Sequence, residues 1–101
     1  MIAPPLQILV IGRHAQITET VVRLIHSQQG WFAQGALSDE EAMDKFKDHQ
    51  FQLVLIGGGV EASSEEKLTV EFEKINPQCK IIHHYGGGSG LLFNEIYEAL
   101  T

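Results

Sequence analysis

Six residues near the start, Leu6-Gln7-Ile8-Leu9-Val10-Ile11, are almost all apolar and β-favouring. A run of this kind predicts a strand covered on both faces, as in a parallel sheet. Gly12 ends it. Ile17, Val21, Leu24 and Ile25 then recur at helical spacing, and Gly30 is the expected stop of that helix. Trp31-Phe32-Ala33-Gln34-Gly35-Ala36-Leu37 predicts a second strand. Ser38 and Glu41 have the spacing of a capping box, ahead of an apolar face made by Ala42, Met43 and Phe46. Phe51-Gln52-Leu53-Val54-Leu55-Ile56 predicts a third strand, running into Gly57-Gly58-Gly59. Ser63 and Glu66 repeat the capping-box spacing before a helix that is expected to bury Leu68, Phe72 and Ile75. Asn76-Pro77 closes that helix. Lys80-Ile81-Ile82-His83-His84-Tyr85 predicts a fourth strand, Gly86-Gly87-Gly88-Ser89-Gly90 a loop, and Leu91, Leu92, Ile96, Ala99 and Leu100 the apolar face of a last helix.

The order is strand then helix, four times over. That alternation predicts an α/β fold, a parallel sheet with helices on both faces. The right-handedness of parallel crossovers narrows the topology further. No linker, repeat or low-complexity tract divides residues 1–101, so one domain is expected.

Charge narrows the function. The chain carries 13 acidic and 7 basic residues, a net charge of −6, with no Lys/Arg cluster. This balance argues against nucleic acid and against an anionic membrane as partner. Cys79 is the one cysteine, so no intrachain disulfide forms, and a reducing, cytoplasmic setting is expected. Met1-Ile2-Ala3-Pro4-Pro5 has neither the basic nor the apolar region of a signal peptide. No apolar run approaches the ~20 residues of a membrane helix.

The opening Ile8-Leu9-Val10-Ile11, the Leu53-Val54-Leu55-Ile56 strand and the closing helix from Leu91 to Leu100 resemble those of response-regulator receiver domains. The resemblance covers nearly the whole chain. It implies a flavodoxin-like three-layer α/β/α sandwich with a four-stranded parallel sheet in the order 2-1-3-4. That is the receiver order less one βα unit, because the stretch after Tyr85 leads straight into the last helix. The family's chemical residues do not carry over. Gly12-Arg13-His14 stands where receivers have a magnesium-binding acidic pair, and Gly57 stands where they have the phosphoacceptor aspartate. The family's Ser/Thr after strand 4 falls near Tyr85, and its lysine after strand 5 has no counterpart. Phosphoryl transfer needs a nucleophile and compensation for charge, so a receiver-like scaffold without receiver chemistry is expected. Gly12-Arg13-His14-Ala15-Gln16 also lacks the phosphate loop of flavodoxins, the cysteine of phosphotransferase subunits and all but the histidine of the cobalamin motif.

In parallel α/β sheets, ligands bind beyond the carboxyl ends of the strands where strand order reverses. The candidates there are Arg13, His14, Gly57, Gly58 and Gly59, with His84, Gly86, Gly87, Gly88 and Ser89 one strand away. The glycines either admit a ligand close to the backbone or serve the turns themselves. Arg13 either faces an anion or is solvated. His83 and His84 are adjacent on a strand and point to opposite faces, so they do not share one metal. No catalytic set, metal site or cofactor is expected. His26 and His49 fall at helix carboxyl ends, where the dipole favours a cation.

The expected function is a non-catalytic module that binds another protein or itself. The alternative is a small-molecule or anion-binding module built on the glycine-rich loops. A missing unit would leave strand 4 as a sheet edge, and exposed edges pair readily. A homodimer through Ile81, Ile82, Leu92, Phe93 and Tyr97 is therefore expected.

Overall fold

The computed structural model describes the backbone of residues 6–84 and 89–100 and the side chains of 6–83 and 94–99. The elements are β1 (Leu6–Ile11), α1 (Ala15–His26), β2 (Trp31–Ala36), α2 (Asp39–Asp48), β3 (Leu53–Gly57), α3 (Ala62–Ile75), β4 (Lys80–His84) and α4 (Ser89–Leu100). The strands form one parallel sheet in the order β2-β1-β3-β4. This is the flavodoxin-like order, and the chain folds back at the β1/β3 boundary.

Alternation along the strands divides the core in two. Leu9 and Ile11 of β1, with Val54 and Ile56 of β3, pack against Ala42, Phe46, Leu68 and Phe72 of α2 and α3. Ile8, Val10, Leu53 and Leu55 pack the other way, against Ile25 of α1 and Ile96 of α4. The near-continuous apolar runs of β1 and β3 follow from this double cover. Phe46 and Phe72 stack with ring centroids 4.2 Å apart, and Phe51, just ahead of β3, joins them from below.

The placement of α4 has a topological reason. A right-handed crossover puts α1 on one face, and the reversal towards β3 and β4 puts α2 and α3 on the other. No crossover between described strands passes through α4. It lies on the face of α1, where a single helix would leave Leu53, Leu55 and Ile82 uncovered.

Several local expectations are corrected. Helix α3 starts at Ala62 with Glu61 as its N-cap, so Ser63 lies inside the helix and is not a cap. Ile75 is 46% exposed and Ile17 62% exposed. The inner face of α1 is Thr18, Val21, Val22, Leu24 and Ile25, so of the expected apolar positions only Ile17 is misplaced. Helix α1 ends at His26, and Gly30 serves the following turn with φ of 84°, a conformation that favours glycine. The Ser38 cap holds: the Glu41 N–H donates to Ser38 Oγ at 3.1 Å, and Glu41 Oε1 accepts from the Leu37 N–H at 2.7 Å.

Phe72 is fully buried at the centre of the α2/α3 layer. Phe72→Ala is expected to cost about 3–5 kcal/mol, a large share of the ~5–15 kcal/mol that holds a domain folded. A urea unfolding curve measures it. A loss below about 1 kcal/mol would contradict this account of the core.

Candidate functional site

The mouth of the sheet is built from the loops after β1, β2 and β3. Gly12 continues β1 by donating its N–H to the Ala36 carbonyl at 2.9 Å. A side chain there would collide with the hydroxyl of Thr18, which is buried beneath it. Arg13 comes next, and its guanidinium crosses the mouth. It donates to Asp39 Oδ1 at 2.5 Å and to the Leu37 carbonyl at 3.3 Å, and it stands 3.6 Å from Glu61 Oε2. Asp39 opens α2 and Glu61 caps α3, so one side chain ties three loops together.

The electrostatics follow from this contact. Burial alone would raise the Asp39 pKa, but the hydrogen bond from Arg13, with the Ser64 hydroxyl nearby and the charges of Arg13 and Lys67, outweighs it and holds it below its ordinary value. Burial alone would lower the Arg13 pKa, but Asp39 and then Glu61 outweigh it and raise it. Ser64 Oγ also donates to Glu61 Oε2 at 3.2 Å, fixing the second carboxylate.

Gly57 ends β3 beside this cluster. A Cβ there would lie 3.2 Å from the Ile11 carbonyl oxygen, tighter than ordinary packing, and the Gly57 carbonyl accepts from the Val60 N–H at 3.2 Å. Gly58, Gly59 and His14 are all exposed, with Gly59 standing against Arg13. His14 is the N-cap of α1 without a side-chain hydrogen bond. The structure thus brings Arg13, Gly57 and Gly59 together, with His14 at the rim. Gly86, Gly87 and Gly88 lie outside the described residues. His84 ends β4 and Ser89 opens α4, but their side chains lie outside the described residues, as do those of Leu92 and Phe93. Tyr97, expected beside β4, reaches to Trp31 of β2 with ring centroids 5.2 Å apart.

Asp39 and Glu61 are the site residues that sequence reasoning missed as partners of Arg13. The available signal was topological: each follows a strand whose carboxyl end borders the mouth. His83 also has a partner that was missed, for its Nδ1 stands 2.5 Å from Glu65 Oε1 at the start of α3. Cys79 is buried, which pushes its thiol up to about 11 and leaves it protonated at neutral pH. Among the described residues, no three His, Cys, Asp or Glu side chains converge as metal ligands would. No helix among them is long and apolar enough to cross a membrane.

Solved receiver structures share this fold. A response regulator receiver domain protein from Clostridium thermocellum is 24% identical with a TM-score of 0.70, covering 92% of this chain and 73% of that one. The response regulator TrrA from Thermotoga maritima, in complex with magnesium and beryllofluoride, is 16% identical with a TM-score of 0.71 over 93% of this chain and 98% of that one. A structure of the histidine kinase ThkA in complex with TrrA gives 21% identity and a TM-score of 0.76, over 95% and 99%. At these identities the likeness is one of fold. No protein-family model matches the sequence, and no curated protein matches it.

The depressed pKa of Asp39 makes the mouth sensitive to acid. A carboxylate whose folded pKa lies below its unfolded value of 3.8 stabilises the fold above that value. The contribution is lost as pH falls through the lower, folded pKa. Asp39→Asn should therefore lower stability at pH 7 by up to about 1 kcal/mol, the scale of a partly exposed ion pair. The gap to the unaltered chain should close towards pH 3. Urea unfolding at both pH values measures it, and a gap that stays constant would contradict the pairing.

Proposed function

We propose that this domain is a receiver-like module that performs no phosphoryl transfer and works in the cytoplasm by binding protein, either another chain or a second copy of itself. The observation that carries this reading is the Arg13 guanidinium, bonded to Asp39 and beside Glu61, next to a glycine at the end of β3. In the resembling family the mouth collects carboxylates for a metal and offers one as nucleophile. Here the mouth's own carboxylates neutralise an internal cation, and Gly57 offers no nucleophile. Transfer needs both.

The likeness to a receiver solved in complex with a histidine kinase supports protein binding as the use of this scaffold. The span of the likenesses supports the loss of one unit. This chain of 101 residues covers 98% and 99% of two receiver chains, and α4 lies on the face of α1. With four strands among the described residues, β4 is the edge that a partner or a twofold mate would meet at Ile81 and Ile82. A small-ligand or anion site at Arg13, His14, Gly57, Gly58 and Gly59 has less support, since two carboxylates already occupy the mouth's cation.

Incubation with acetyl phosphate and magnesium, followed by intact mass, should show no phosphoryl adduct. Gly57→Asp should show none either, because the carboxylates that would hold magnesium stay with Arg13. A stoichiometric adduct on the unaltered chain, mapped to the mouth, would overturn the proposal.

A further inference from the structure

The two edges of the sheet are treated differently. In β2 the outward-facing backbone groups belong to Trp31, Ala33 and Gly35, because Phe32, Gln34 and Ala36 face β1. Side chains take up that edge. His26 Nε2 lies 2.9 Å from the Ala33 nitrogen and 3.0 Å from its oxygen, and bonds one or the other according to its tautomer. Lys45 Nζ donates to the Gly35 carbonyl at 2.6 Å. The Leu37 N–H, just beyond the strand, is held by Glu41. Such sealing stops a strand from templating another chain.

The β4 edge is built the other way. Lys80 donates inward to the Gln52 carbonyl at 3.0 Å, so the backbone groups of Ile81 face outward. Among the described residues, no side chain bonds them. Grooves flank this edge on both faces. One, of about 610 Å³, runs between Glu65, Thr69 and Glu73 of α3 and Ile81 of β4. The other, of about 290 Å³, is bordered by Glu95 and Glu98 of α4 and by Ile82. Four carboxylates therefore border the edge among the described residues, with Lys80 and with His83, which lines both grooves and stands 2.5 Å from Glu65.

We infer that the β4 edge receives an extended, basic segment of a partner protein, added to the sheet as a fifth strand. The inference rests on the reading of this domain as a protein-binding module. Charge selects the occupant. Pairing β4 with a twofold mate keeps like faces together. The α3 helices, each the crossover between β3 and β4, would then stand about two strand spacings apart, roughly 10 Å. The Glu65, Thr69 and Glu73 stripe would face its own copy. Like charges set opposite one another are destabilising, and each chain already carries −6. An incoming strand with Lys or Arg at both ends meets acid on either face, while its middle residues pack on Ile81 and Ile82. Main-chain hydrogen bonds give such strand addition its affinity, and alternate side chains give it its specificity.

The test uses the full chain and two blocked peptides, Lys-Lys-Val-Thr-Val-Lys-Lys and Glu-Glu-Val-Thr-Val-Glu-Glu. The basic peptide should bind, more weakly as salt rises, and should slow amide exchange at Ile81. The acidic peptide should not bind. The surface variant Glu73→Lys with Glu98→Lys should bind the basic peptide about tenfold more weakly. Ile81→Pro, which removes the outward N–H, should abolish binding while circular dichroism stays unchanged. Equal binding of both peptides, binding of neither, or protection at β2 instead would overturn the inference. So would light scattering that shows a dimer of the 11.2 kDa chain with Ile81 already protected. Phosphate transfer is read by mass at the mouth and strand addition by exchange at Ile81, so the two readings fail separately.

Discussion

The two central strands of this sheet are covered on both faces, and the rest of the molecule answers to that constraint. β1 and β3 bury alternate residues into separate layers, so both layers must be filled by helices. With four strands and a reversal after β2, the crossovers deliver two helices to one face and one to the other. The terminal helix supplies the fourth, lying beside α1. The same constraint fixes where the unsolved problems of a sheet fall, at its two edges and at the carboxyl ends of its strands.

At the carboxyl ends the problem is charge. Arg13 leaves β1 where the loops after β2 and β3 converge, in a mouth that is partly buried. A guanidinium there costs free energy unless carboxylates meet it. Asp39 and Glu61 do so, and each also favours the start of the helix it introduces. One interaction thus neutralises a cation, caps two helices electrostatically and sets the relative position of three loops. It also commits the mouth's carboxylates to a structural role, while at the β4 edge the outward backbone groups of Ile81 have no side-chain partner among the described residues.

Much of the fold was legible in the pattern of apolar residues. The double-sided runs at Ile8 to Ile11 and Leu53 to Ile56 announce central parallel strands, and Ser38 with Glu41 announces α2. The failures have physical causes. Hydrophobic spacing chose Ile17 for the inner face of α1, but Thr18 takes it, because Gly12 and Gly35 leave room for a threonine against the sheet. A hydrophobicity pattern does not register a buried hydroxyl. Ser63 and Glu66 have the spacing of a capping box, yet Glu61 is already extended with φ of −66° and ψ of 148°, and the helix starts from it. The glycines at the mouth were legible as a place. The contacts of Arg13 were not, because Asp39 and Glu61 lie 26 and 48 residues away (39 − 13 and 61 − 13) and meet it only through the topology.

The most direct test of the account asks whether the mouth responds to a phosphoryl mimic. Backbone amide spectra of the chain, titrated with magnesium and beryllofluoride, should leave Gly12, Arg13, Gly57, Gly58 and Gly59 unmoved. A saturable shift confined to those amides would contradict the account, for it would mean that Arg13 releases its carboxylates and that the mouth retains receiver chemistry.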